Sequence, residues 1–225
     1  MRWRGLLFAH WPVEPDVLRP LVPAGLEIDT FGGRAYLGIV PFGMEDVAPR
    51  GLPAIPGLSA FPEVNVRTYV RHGSLDGIWF LSLDAASHVA VEGARTAFHL
   101  PYFYASTWME RHGADVVYHS ERRDRRGPPA ILDAWYRPTG PVAPAAPGSL
   151  EAWLTARFRL FAADGGGRLS RTEIRHATWP LQPAEGEVEA DPLAAAHGLV
   201  LPDSTPHLLF SERLDVKAWW PRRVA

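Results

Sequence analysis

The stretch FPEVNVRTYV, residues 61–70, sets Glu63, Asn65, Arg67 and Tyr69 at two-residue spacing. Successive side chains of an extended strand point to opposite faces, so these four share one face and Val64, Val66, Thr68 and Val70 the other. A carboxylate, an amide, a guanidinium and a phenol in one row are groups that bind a small polar molecule and move its protons. Two readings stay open. If the sheet has a wet side, the valines make the core and the polar row is solvated. If the sheet curls on itself, the polar row lines a pocket for one small ligand.

A second stretch, EGARTAFHLPYF (92–103), reads as a helix end running into a strand and carries Arg95, Tyr102 and Phe103. Other chemistries have less support. Nine histidines show no H-x-x-x-H or H-E-x-x-H spacing, so no metal site is expected. DGGGR (164–168) lacks the lysine and hydroxyl of a phosphate-binding loop and reads as a turn. There is no G-x-S-x-G elbow. Without cysteine, disulfides, thiolate catalysis and thiolate metal sites are excluded. No cofactor is expected.

The elements that must hold these residues are mostly strands. Residues 26–42 read as a hairpin turned by Gly32-Gly33, and 64–84 as a second pair. Residues 156–179 make a third pair around Asp164 to Gly167, and 206–220 a last strand. Short helices are predicted over 14–22, over 87–99 capped by Ser87, over 149–158 capped by Ser149, and over 191–199. With 22 prolines and 20 glycines spread along 225 residues, a helical bundle is excluded. The Pro-rich runs at 47–58 and 138–148 read as connections inside one domain, 1–225. The charge run ERRDRR (121–126) reads as an exposed loop. Nine tryptophans, Trp219-Trp220 among them, read as core or rim packing.

A formal net charge of -2 gives no electrostatic reason to bind nucleic acid or an anionic membrane. The amino-terminal apolar run is broken by His10 and prolines before a signal-peptide core forms, and no stretch reaches the length of a membrane helix. A cytoplasmic protein is expected.

Three stretches together resemble the acetoacetate decarboxylase superfamily: VLRPLVPAGLEID (17–29), FPEVNV (61–66), and Ala94-Arg95-Thr96 followed after four residues by Pro101-Tyr102-Phe103. HWPV, LVPAGLEIDTFGGRAYLGIVPF, GLSAFPEVNVRTYV and LLFSERLDV look most like its bacterial DUF2071 (YqjF-like) branch of uncharacterised proteins. The resemblance implies a mainly β fold with a few short helices, in which a highly curved antiparallel sheet closes into a barrel or cone around a central cavity. It places Glu63 on the family's active-site glutamate and Arg4 on its amino-terminal arginine. The two catalytic lysines fall on Tyr102 and Phe103. Neither can form an imine, and the only lysine, Lys217, lies far along the chain, so a Schiff-base decarboxylase is not expected.

Three functional readings follow. In an enzyme of different mechanism, Tyr102 donates a hydrogen bond or proton to a carbonyl, Glu63 acts as general base or proton shuttle, and Arg4 or Arg67 holds a carboxylate. Asn65 and Arg95 complete the candidate binding set. In a binding protein the same groups hold a keto or hydroxy acid without reaction. In the third reading the charged residues only pair with each other and aromatic side chains fill the interior. A homo-oligomer is left open.

Overall fold

The computed structural model describes residues 1–47 and 59–224; most of the Pro-rich run at 47–58 lies outside them. The chain opens with β1 (Arg2–Val13), α1 (Pro15–Leu18) with a 3-10 turn behind it, β2 (Glu27–Ile28), β3 (Ala35–Glu45), β4 (Phe61–His72) and β5 (Leu75–Ala85). It continues through α2 (His88–Phe98), β6 (Tyr102–His112), β7 (Asp115–Arg122), β8 (Ile131–Pro138) and α3 (Leu150–Thr155). It ends with β9 (Arg159–Ala163), β10 (Leu169–His176), β11 (Leu181–Glu189), α4 (Asp191–Ala195), β12 (His207–Ala218) and β13 (Arg222–Arg223). All 13 strands join one hydrogen-bonded sheet.

The sheet closes on itself along two circuits. One ring runs through the nine strands β1, β3, β4, β5, β6, β7, β8, β11 and β12. The other runs through the seven strands β1, β3, β4, β5, β9, β10 and β12. Both share a wall, β12-β1-β3-β4-β5, whose two ends fork. Leu83 to Ala85 of β5 pair with β6, while Ile78 and Trp79 pair with β9. Leu209 to Ser211 of β12 pair with β11, while Val216 to Ala218 pair with β10. The expected antiparallel sheet therefore needs a correction at β5, whose pairings with β6 and β9 are both parallel. Its expected single interior is likewise divided in two.

Each face of the shared wall has its own core. Leu6, Phe8, Val40, Phe42 and Tyr69 face the smaller ring, with Leu160, Ile174 and Trp179 across from them. Leu7, Ala9, Ile39, Val64 and Val66 face the larger ring, against Tyr118, Leu132 and Tyr136. A strand that is dry on both faces loses the apolar-polar alternation of a half-buried one. For that reason the run GLLFAHW, the central strand β1, carries no strand-like alternation in the sequence. For the same reason the polar row of β4 does not face water: every residue from Glu63 to Val70 is buried.

Local signals behave as their chemistry dictates. Ser87 Oγ accepts from Ala90 N and Ser149 Oγ from Ala152 N, capping α2 and α3. Gly32 and Gly33 take φ of 59° and 80°. The turn they make joins β3 to a short bridge, Phe31 with Arg34, and β2 pairs with β4 instead of β3. The expected 26–42 hairpin is corrected accordingly.

The charge run 121–126 also needs correction: Glu121 and Arg122 belong to β7, and the Asp124 side chain is nearly buried. Arg122 ends β7 inside the larger ring, donating to Asp84 through Nε at 2.6 Å and Nη2 at 2.7 Å, both side chains almost fully buried. The Phe103 ring lies 4.1 Å beneath its guanidinium. Arg123, Arg125 and Arg126 are exposed, as a loop would have them. Removing one partner of a buried pair leaves the other charge stranded, so Arg122→Ala should cost about 3–5 kcal/mol in urea denaturation. Arg125→Ala, at an exposed position three residues on, should leave the midpoint within experimental scatter.

Candidate functional site

The smaller ring collects the polar groups. Cross-strand register sets Phe42 opposite Glu63, Val40 opposite Asn65 and Gly38 opposite Arg67, so the β4 row points into this compartment. Trp153 of α3 packs on Tyr36 and Tyr69, and Trp179 on Phe8 and Trp3. Among the described residues, eight buried side-chain polar atoms lack a hydrogen-bond partner. Six of them, Trp3 Nε1, His10 Nδ1, Asn65 Oδ1, Arg67 Nε, Ser211 Oγ and His207 Nε2, belong to this one face, and of these His207 Nε2 has Glu151 Oε1 at 3.3 Å. Buried polar groups are ordinarily paired, through ordered water or a ligand if not within the protein.

One pole of the row is Glu63 with Tyr102. Tyr102 Oη donates to Glu63 Oε2 at 2.8 Å, across 39 residues of chain. The pair forms because β6 lies parallel to β5, Tyr102 beside Leu83, while Glu63 lies across from Ala85 on the other edge of β5. Burial pushes the Glu63 carboxyl up to about 8, against a smaller downward pull from Tyr102 and an upward push from Asp84. Burial, then the adjacent Glu63, raises the Tyr102 phenol well above its ordinary range. At neutral pH both groups are protonated.

The other pole is Arg67. Its guanidinium lies 5.3 Å from the Phe8 ring centre and 5.8 Å from that of Tyr69. The side chain is buried, and among the described residues it forms no ion pair. Residues 48–58 contain no aspartate or glutamate that could supply one. Tyr69 Oη sits 2.7 Å from His10 Nε2. Burial first, then Arg67 and His207, drives the His10 imidazole well below its usual range, so it is neutral.

The remaining sequence candidates have different places. Asn65 is buried between the poles. Arg95, half-buried on α2, donates to Tyr102 O at 2.7 Å and lies over Phe103, bracing the start of β6 from outside the row. Arg4 is on the outer face, half exposed, with Nη1 2.7 Å from Glu45 Oε1. The cause is Gly5, whose φ of 53° resets the alternation so that Trp3 turns inward and Arg4 outward. Lys217 is exposed on β12. No group of three or more metal-ligating side chains occurs among the described residues, and none of their helices is long and apolar enough to cross a membrane. A surface hollow of about 690 Å³ lies elsewhere, beside Arg2, Arg175 and Trp219.

A family model described as an uncharacterized conserved protein, DUF2071, matches residues 1–215. The chain belongs to the DUF2071 family. This family member is 44% identical over 221 residues to the uncharacterized protein YqjF of Bacillus subtilis (strain 168), covering 98% of this chain and 90% of that one. Its fold is acetoacetate decarboxylase-like. It superposes with a TM-score of 0.73 at 13% identity on the enduracididine biosynthesis enzyme MppR complexed with the condensation product of pyruvate and imidazole 4-carboxaldehyde, over 99% of this chain and 87% of that one. It also superposes, with a TM-score of 0.65 at 13% identity, on acetoacetate decarboxylase from Legionella pneumophila subsp. pneumophila str. Philadelphia 1, over 100% of this chain and 88% of that one.

His10 and Trp3 contribute to this compartment of the DUF2071 protein without having been candidates from sequence. The signal for His10 was its phase with Leu6 and Phe8 along β1. A proton bound by buried Glu63 makes folding pH-dependent. Between the ordinary value of 4.5 and about 8 the unfolded chain releases that proton and the folded chain keeps it. Stability from this group should therefore fall as pH rises through that window, by at most about 1.4 kcal/mol per pH unit. Neutral, buried His10 and His197 act in the opposite sense below about 6.5. The difference between wild type and Glu63→Gln in urea midpoints from pH 5 to 8 isolates the Glu63 contribution.

Proposed function

We propose that the smaller ring binds a small carboxylate-bearing carbonyl compound, with Arg67 holding the carboxylate and the Glu63–Tyr102 pair serving the carbonyl oxygen. The observation that carries this reading is the buried Arg67 guanidinium without a counter-charge. An unpaired buried cation is costly, and an anionic ligand removes the cost. The acetoacetate decarboxylase-like relatives support a small-molecule role for the fold, one of them bearing a pyruvate-derived product.

The chemistry differs from lysine-imine catalysis because the one lysine, Lys217, is exposed on β12 and Tyr102 stands in the row instead. Glu63 is protonated at neutral pH, which makes it an acid toward the ligand in the resting state and a base only after it has given up its proton. Donating to a carbonyl oxygen leaves a carboxylate that Tyr102 Oη–H already supports at 2.8 Å. The expected reaction class is proton transfer at a carbonyl; the two poles are four residues apart on β4, a strand rise of about 13 Å, so the carboxylate and the carbonyl belong at opposite ends of the ligand. Binding without turnover is the second reading, favoured by the same exclusion of lysine.

Pyruvate, acetoacetate, lactate, glutarate and uncharged acetone, each at millimolar concentration, provide the test by thermal shift. At a hundred times its dissociation constant an acid adds about 2.7 kcal/mol, a shift of a few degrees. At least one acid should raise the midpoint of wild type but not of Arg67→Gln, and acetone should not. Equal shifts in both proteins, or none with any acid, would refute the carboxylate assignment. Conversion of a bound acid in wild type, absent in Glu63→Gln, selects the enzyme over the binding protein.

A further inference from the structure

The outer surfaces of the two rings carry opposite charge. On the outside of the smaller ring, β10 presents Arg171, Glu173 and Arg175, alternating with the buried Thr172 and Ile174. Register sets Arg171 opposite Arg222 of β13, and Arg175 opposite Lys217 of β12. Glu173 is opposite Arg159 and Asp215 is opposite Arg2, so each carboxylate of this face already has a cation across from it. The two cationic pairs are left over. Among the described residues none of these four side chains is in an ion pair. Arg175 lies 5.2 Å from the Trp219 ring centre and borders both the hollow of about 690 Å³ and an adjoining one of about 420 Å³ that reaches exposed Phe158.

On the outside of the larger ring the signs reverse. Glu185, Glu187 and Glu189 are exposed along β11, alternating with part-buried Ala184, Gly186 and Val188. Glu189 is opposite Asp133 of β8, and Glu187 opposite Trp135. Arg137 holds Glu185, whereas among the described residues Glu187 and Glu189 have no cation, and Asp133 has only the His119 ring, at 2.7 Å. Exposed Trp108 stacks on His119, and exposed Ile131 shares the outer face of β8 with Asp133.

Like charges directly opposite on paired strands repel, so each face is destabilised until a counter-charge arrives. The faces belong to different rings, on either side of the shared wall, so one molecule cannot bring them together. A nucleic acid or an anionic membrane would relieve the cationic face, but the acidic face and a net charge of -2 would repel it. A second copy of the chain relieves both faces in one contact, and exposed Trp108 on one and Phe158 beside the other supply apolar area. We propose that the protein associates head to tail, the acidic face of β8 and β11 in one copy docking on the cationic face of β10 and β12 in the next. This interface is independent of the carboxylate reading. Because its two patches differ, the contact is heterologous, and copies add as rings or chains and not as two-fold pairs.

Analytical ultracentrifugation of the full chain across a salt series tests the interface, because the screening length shrinks from about 30 Å at 0.01 M to about 3 Å at 1 M. Wild type should exceed the monomer mass at the low-salt end and return to it at the high-salt end. Two charge-reversed proteins, Glu187→Lys with Glu189→Lys and Arg175→Glu with Lys217→Glu, should each self-associate about tenfold or more weakly at low salt. An equimolar mixture of the two should associate again, since every contact between unlike copies then joins opposite charges. Urea midpoints of the separate variants show that both are folded before mixing. A wild type that is monomeric at low salt, an assembly indifferent to salt and to both reversals, or a mixture of folded variants that stays monomeric would overturn the proposal.

Discussion

The wall formed by β12, β1, β3, β4 and β5 governs the rest of the molecule because its middle has no wet side. Two rings of strands close against its opposite faces, and along its buried middle, as from Leu6 to His10 and from Glu63 to Val70, alternate residues enter one dry compartment or the other. Polar side chains on such strands cannot be left to solvent. They must find partners across the compartment, or be kept for something that comes from outside.

The two faces resolve this demand differently. Toward the larger ring, Asp84 and Arg122 satisfy each other with two short hydrogen bonds, and Ser82 meets His197 Nε2 at 3.0 Å. Tyr136 Oη donates to Gly5 O at 2.7 Å. Little is left over there beyond the Tyr118 hydroxyl. Toward the smaller ring, Arg67 has no counter-charge among the described residues, and five other side chains carry an atom without a hydrogen-bond partner. Both faces contain a buried arginine and a buried carboxyl group. Only on the first are they placed to neutralise each other; on the second, Glu63 and Arg67 are four residues apart on one strand. A protein selected for stability alone would gain by satisfying the polar groups of the second compartment as completely as those of the first.

Much of this was legible in the residues. The helix caps at Ser87 and Ser149, the Asp164–Gly167 turn and the β4–β5 pair need only local chemistry, and local chemistry is what a sequence displays. The resemblance to a known fold named Glu63 and Tyr102 as candidates for one site, and the structure sets Tyr102 Oη 2.8 Å from Glu63 Oε2. What stayed hidden depends on tertiary closure. The central strand β1 has too apolar a run to show alternation once both faces are dry. Arg122 looked like its exposed neighbours because nothing within 121–126 marks the one side chain that reaches Asp84. His10 looked like an interruption of an apolar segment, and only the closed ring turns it toward Tyr69. The parallel junctions of β5 bring together segments far apart in the chain, for which no periodic signal exists.

Gly5 bears on how relatives are to be compared. Counting back from a matched motif assumes that odd and even positions keep their sides, and the positive φ at Gly5 breaks that assumption in the middle of a strand. The strand has, in effect, two reading frames. Trp3 and Arg4 are read in one, Leu6, Phe8 and His10 in the other, and an arginine shifted by one place across that boundary would change compartments without changing its neighbours in the sequence. Homology at this edge of the family is thus a matter of phase, and a column of aligned arginines need not be a column of equivalent ones.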